Sequence, residues 1–146
     1  QDPPPTFAVQ ATSTGDTAPI TVAVDRARLR LLLRNLLANA ARHGRNEQDG
    51  KLNIQVELTQ APGGMLSLSV RDHGPGVPPE QLSQLAQAFY RPDAARTRDA
   101  GGVGLGLYLC RLVAQAHGGE LQISNAGPGL RVGMRWAGVA LTATNQ

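Results

Sequence analysis

Aromatic residues make up only 3% of this 146-residue chain: one Trp, two Tyr and two Phe. Its core therefore has to be aliphatic, and a surface that stacks nucleic-acid bases on a series of rings has too few rings to form. A single cysteine, Cys110, excludes an internal disulfide. Because it lies inside an apolar stretch, it is expected to be a small core residue and not a reactive thiol. Lysine is nearly missing as well. The net charge of +3 invites a nucleic-acid hypothesis, but thirteen of the fourteen basic residues are Arg, scattered from Arg26 to Arg135 without a basic run, which argues against such a footprint. No apolar run approaches the roughly eighteen residues that cross a bilayer, and no secretory leader opens the chain. The first residue is Gln and not Met, so a longer parent is expected, with any membrane anchor outside this stretch.

What is present is the composition of one globular domain. Hydrophobic residues account for 41% and charged residues for 17%, enough to bury about two thirds of the unfolded surface. Gln1–Pro5 reads as a frayed tail. Phe7–Ala11 and Ile20–Val24 read as short strands, and Asp25 is a plausible N-cap for a helix starting directly after it. In Leu29–Gly44 the apolar residues Leu29, Leu32, Leu33, Leu36, Leu37 and Ala40 recur at helical spacing, and Gly44 stops the pattern. At about 100° per residue, Asn35, Asn39 and Arg42 share a sector of roughly 60° at the edge of that leucine face. An amide desolvated there without a partner loses about 1–3 kcal/mol. Either the asparagines cap nearby backbone, or a ligand or hydrated metal uses them; amide oxygens suit Mg²⁺.

Leu52, Ile54, Val56 and Leu58 alternate with polar residues, and the alternation resumes at Leu66, Leu68 and Val70 after Ala61-Pro62-Gly63-Gly64, as in a hairpin. The second strand runs into Asp72-His73-Gly74-Pro75-Gly76-Val77, a sharp turn. A short helix is expected from Pro78 to Ala86. Phe89–Gly102 lacks periodicity and carries Arg91, Arg96 and Arg98, as a mobile loop would. Val103–His117 predicts a largely buried helix closed by Gly118-Gly119. Leu121 and Ile123, then Leu130, Val132, Met134 and Trp136, predict a last pair of strands, and Ala137–Gln146 has little to anchor it. Gly101-Gly102-Val103-Gly104-Leu105-Gly106-Leu107 meets a helix start, where backbone N–H groups can hold an anion. It matches neither the Walker nor the dinucleotide fingerprint, and the His-Arg-Asp and Asp-Phe-Gly motifs of protein kinases are absent.

Taken together, these segments resemble the GHKL (Bergerat-fold) ATP-binding domains, and among them the catalytic domain of bacterial two-component sensor histidine kinases. Asn35–His43 is similar to the asparagine box, Asp72–Gly76 to the first glycine box, Phe89-Tyr90-Arg91 to the phenylalanine box and Gly102–Leu107 to the second glycine box. The four stand in the family's order, and the likeness runs from about Ile20 to Trp136. The resemblance implies an α+β two-layer sandwich, a mixed, mostly antiparallel sheet with three helices on one face. It places the ATP-binding domain at residues 20–136, between a leading segment 1–19 and a tail 137–146.

The same resemblance implies ATP and Mg²⁺ as cofactors. Asn39 would ligate the metal, with Asn35 and Arg42 assisting at metal and phosphates. Asp72 would accept the adenine amine, Gly74, Gly76 and Val77 would line the base pocket, and His43 would lie near the ribose. Gly102, Val103, Gly104, Leu105, Gly106 and Leu107 would hold the phosphates, and Arg91 would stand near the γ-phosphate. Val103 replaces a frequent Ser or Thr, Leu130–Val132 lacks a Thr that often supports the base, and Ala88 replaces a Pro. The implied reaction is transfer of the γ-phosphate to a histidine on the parent's separate dimerisation domain. A response regulator would be the downstream partner, and the cytoplasmic domain itself would be a monomer that binds no nucleic acid. The alternatives are an ATP hydrolase of the same fold, which carries Glu where this chain has Asn35, and a nucleotide-sensing module without phosphotransfer. His43, His73 and His117 all fall within or beside the nucleotide motifs, so none is the expected phosphoacceptor, and no pair has zinc spacing.

Overall fold

Period-two alternation puts one apolar side chain in every second place along four strands, and the register of the sheet lines those places up. In the computed structural model, which describes the backbone of residues 5–13 and residues 24–61, 63–88, 90 and 105–137 in full, five strands form one sheet. They are β1 (Pro5–Ser13), β2 (Leu52–Gln60), β3 (Met65–Arg71), β4 (Glu120–Asn125) and β5 (Leu130–Ala137). Their order is β1-β2-β3-β5-β4. β1 runs parallel to β2 and every other neighbouring pair is antiparallel. Val56, Val70, Val132 and Ile123 stand side by side in one row, and Leu58, Leu68, Met134 and Leu121 in the next. On the other face Glu57, Ser69, Gly133 and Gln122 form a matching polar row. A sheet with one apolar face needs one covering layer.

That layer is made by α1 (Arg26–His43) and α2 (Gly106–Ala116). Leu32, Leu36 and Ala40 of α1 are buried against Leu52, Ile54, Leu66, Val132, Met134 and Trp136 of the sheet, with Cys110, Val113 and Ala114 of α2 completing the core. Asp25 caps α1, its side chain accepting the Arg28 N–H at 3.0 Å. Gly106 approaches Asn35, the Cys110 thiol donates to the Leu32 carbonyl at 3.7 Å, and His117 meets Asp25, so the two helices run antiparallel. His117 joins their far ends. Its Nε2 accepts the Asp25 N–H at 3.2 Å while Nδ1 faces the Val113 carbonyl at 2.9 Å. This pattern assigns the proton to Nδ1. The imidazole also stands edge-on to Trp136, with centroids 6.5 Å apart.

Several expectations need correction. The short helix expected from Pro78 to Ala86 is a shorter 3₁₀ helix, Pro79–Gln84, opened by an i→i−3 bond from the Gln81 N–H to Pro78 O at 2.9 Å. The described residues thus hold the three expected helices, two of them α and one 3₁₀. α2 is not largely buried. Only Cys110, Val113 and Ala114 are, and Leu112 is 40% exposed, because a helix lying on one sheet has a single inner face. Pro5 belongs to β1 and not to a tail. Val24 lies outside any strand, and the rest of the expected strand at 20–24 falls outside the described residues. Gly44 does end α1, its N–H donating to Ala40 O at 2.7 Å, but its φ of −98° is open to any residue. Its glycine character has a different cause, found at the site.

Candidate functional site

Where β3 ends, the chain turns beneath the C-terminus of α1. A β-carbon on Gly44 would lie 2.4 Å from the Ala40 carbonyl oxygen and 2.5 Å from Cβ of Asp72, and one on Gly74 would lie 2.8 Å from Cα of Gly44. The end of the helix and the glycine turn therefore touch backbone to backbone, which only residues without side chains permit. Asp72 is fixed in this contact. It is 4% exposed, and its Oδ1 accepts two main-chain N–H groups, from Gly74 at 2.9 Å and from Leu130 at 3.1 Å. The Asp72 N–H in turn donates to Leu130 O at 3.0 Å. Oδ2 takes no hydrogen bond from any described residue. A buried carboxylate held this way presents one oriented acceptor, and a ligand N–H is its natural complement.

Farther along the turn, Gly76 has φ +70°, in the left-handed region that glycine alone enters without cost. Val77 comes next, and the Asn125 side chain bonds it twice: Oδ1 accepts the Val77 N–H at 3.0 Å, and Nδ2 donates to Val77 O at 2.8 Å. Arg71, just before the turn, donates from Nη2 to Ala126 O at 3.3 Å and Pro128 O at 3.0 Å. His73 is tied to β2, its Nδ1 lying 3.2 Å from Asn53 O, which fits the turn residue expected of it.

The polar edge of α1 faces the start of α2. Asn35 donates from Nδ2 to Leu31 O at 2.9 Å, and its Oδ1 would be 3.3 Å from a β-carbon on Gly106. Half of this amide is therefore spent on its own helix and half points at the neighbouring helix start. Asn39, half-buried, makes no hydrogen bond to any described residue, so its whole amide is available. Arg42 is exposed and has no ion pair among the described residues; the His43 side chain is exposed, while its carbonyl lies 2.8 Å from where a Gly74 β-carbon would stand. Leu105 precedes α2 without supplying a side-chain cap, leaving the first N–H groups of Gly106, Leu107 and their successors uncapped by the side chain of any described residue. Leu107 packs against the core. Arg91, Gly102, Val103 and Gly104, with Arg96 and Arg98, lie outside the described residues.

The structure thus gathers Asp72, Gly74, Gly76 and Val77 at one end of α1, and Asn35 with Gly106 farther along it. Reading the sequence missed Gly44 as a contact residue, and Asn125 altogether. For Gly44 the signal existed: two glycines, one after a helix and one after Asp72, that could meet. Nothing local distinguishes Asn125 from an ordinary hairpin asparagine.

Comparison with known proteins agrees with this geometry. Residues 24–137 match the family described as histidine kinase-, DNA gyrase B- and HSP90-like ATPase. The chain is 36% identical over 124 residues to the sensor histidine kinase YkoH of Bacillus subtilis, covering 84% of this chain and 26% of that protein. It is 33% identical over 100 residues to the sensor histidine kinase WalK of the same organism, covering 68% of this chain and 16% of that protein. The chain therefore spans about a quarter or less of these relatives. Among solved structures, the mycobacterial sensor histidine kinase MprB superposes with a TM-score of 0.70 at 28% identity, covering 92% of this chain and 84% of that one. Full-length ShkA in complex with AMPPNP shares the fold, with a TM-score of 0.74 at 24% identity over 94% of this chain and 27% of that one. The expected α+β fold is borne out, and the chain belongs to the histidine kinase-, DNA gyrase B- and HSP90-like ATPase family.

Proposed function

We propose that this domain binds Mg²⁺·ATP and presents it for phosphoryl transfer to a histidine on a separate domain of its parent. The observation that carries the reading is the Asp72 carboxylate, buried, oriented by two main-chain donors and left with one oxygen that no described residue bonds. Such an acceptor pairs with the amine of adenine and opposes the carbonyl that guanine carries in its place. Asn39, whose amide no described residue bonds, is the residue that would ligate Mg²⁺, and the residues present fit that role. Arg42 would meet the phosphates, and the start of α2 would hold them through its N–H groups. Bound Mg²⁺·ATP supplies the transferable phosphoryl group and neutralises its charge. The protein contributes binding, orientation and an apolar floor.

Position 35 favours transfer over hydrolysis. An amide cannot take a proton from water, and the Asn35 nitrogen is already engaged with Leu31. The relatives named as sensor kinases support a parent that senses a signal, a histidine-bearing dimerisation domain within it, a response regulator after it, and a cytoplasmic place for this domain. No helix of the described residues is long and apolar enough to cross a membrane.

Titration calorimetry of the chain with ATP and GTP, with Mg²⁺ and with EDTA, tests the binding half. ATP is expected to bind at least about tenfold tighter than GTP, the equivalent of one well-made hydrogen bond to a charged group, and EDTA to weaken it. Equal affinities would remove Asp72 from base recognition.

A further inference from the structure

The hairpin between β4 and β5 holds both ends of the glycine turn. Asn125 and Leu130 are register partners across that hairpin. Leu130 grips the start of the turn, donating its N–H to Asp72 Oδ1 and accepting the Asp72 N–H. Asn125 grips the end, through the paired bonds to Val77. Between them, a β-carbon on Gly76 would come within 2.5 Å of Asn125 Oδ1 and 3.1 Å of Gly129 O. The turn is shaped around the amide and the hairpin main chain.

We propose that Asn125 is a positioning residue of the nucleotide site, fixing the Gly76–Val77 segment relative to the Asp72 carboxylate so that the base meets a preformed wall. This rests on the reading of Asp72 as the base-recognition residue. At neutral pH a side-chain amide carries an acceptor and a donor side by side, as a neighbouring strand would. Asp offers the acceptor but sets a carboxylate against the Val77 carbonyl, and Ala offers neither. Asn125 is itself solvent-exposed, so its removal opens no cavity in the core. What it secures is the course of the chain from the turn through Val77, which packs on the core, into the 3₁₀ helix at Pro79–Gln84.

The test compares the wild-type chain with Asn125→Ala and Asn125→Asp by three readouts. These are affinity for Mg²⁺·ATP and Mg²⁺·GTP, thermal midpoint without nucleotide, and hydrogen exchange at the Val77 amide. A protected Val77 amide is expected in the wild type, and faster exchange in Asn125→Ala. Both variants should lose about tenfold in ATP affinity, Asn125→Ala through two lost bonds of ordinary strength and Asn125→Asp through one lost bond and a carboxylate set against the Val77 carbonyl, with GTP affinity unmoved, so that discrimination collapses while the midpoint stays within a few degrees. For Asn125→Asp, the loss relative to wild type should shrink as pH falls toward the range where its carboxyl protonates and can donate again, about pH 4. Should Asn125→Ala not fold, the near-isosteric Asn125→Asp and the wild-type Val77 amide decide. An unprotected wild-type amide, or unchanged ATP preference in a folded variant, overturns the proposal. A wild type that binds neither nucleotide overturns instead the reading of Asp72 on which it rests.

Discussion

Asn39 and Gly44 lie little more than one turn apart on the same helix end, yet they predict opposite experimental signatures. Asn39 carries an amide that no described residue bonds and lies at the edge of the leucine face, so Asn39→Ala should weaken Mg²⁺-dependent ATP binding by at least about tenfold and leave the apo midpoint nearly unchanged. A thermal shift with and without nucleotide separates the two effects. If the apo form loses several kcal/mol, as after a core deletion, Asn39 was structural. Gly44→Ala should do the reverse. Its new methyl would collide with the Ala40 carbonyl and with Asp72, costing about 1–3 kcal/mol by overpacking and pushing the Asp72 turn off the helix, measurable by urea denaturation. The two asparagines stood out in the sequence because an unpartnered amide at a core edge is expensive; Asp72 read as part of a turn and stood out only through the resemblance of its glycine motif. Gly44 was read as a helix stop, since spacing along one segment does not show what the next one brings against it. Asn125 was unreadable because its partner Val77 is 48 residues away.

Helices and strands were legible wherever one face is buried and the other wet. α1 satisfied that condition over its whole length, with Asp25 at one end and Gly44 at the other. Leu36→Ala, at a residue 2% exposed, should cost about 2–5 kcal/mol. Leu31→Ala, at a residue 40% exposed, should stay within about 0.5 kcal/mol; paired urea melts check the contrast. α2 misled because Leu107, Leu109 and Leu112 spread apolar character around a helix that buries one stripe. Its Cys110 is fully enclosed, and burial pushes the thiol up to about 12. Alkylation at neutral pH should therefore be far slower in the native protein than in urea, as mass spectrometry over time would show; fast native labelling would contradict the packing. At the other helix, the Arg28 N–H bond holds the Asp25 carboxyl below its ordinary 3.8. A depressed carboxylate stabilises above its unfolded value and loses that contribution as pH falls through the folded one. The midpoint of Asp25→Ala should consequently sit below that of wild type at neutral pH, and the gap should close below about pH 3.8.

For the molecule as a whole, one sheet face is covered and the transfer reaction proposed for it is divided between domains. The 146-residue chain alone should bind ATP without labelling itself, and acid-labile phosphate should form only when the parent's histidine-bearing domain is added. Radiolabelled ATP with either part and with both is the measurement; rapid phosphate release by the chain alone would favour the hydrolase alternative. The sheet order could not be read from the sequence, since the placing of β5 between β3 and β4 depends on contacts between distant segments. α1 has one consequence of pure geometry. Its C-terminus abuts Asp72 through Gly44, and its Asn35 turn abuts the start of α2 at Gly106. The nine steps from Asn35 to Gly44 rise about 13.5 Å at 1.5 Å each. In the function proposed above, the helix would be a ruler between the base end and the phosphate end and would measure ligand length: a monophosphate would stop short of the far mark, and each added phosphate would bring the chain of charges closer to it.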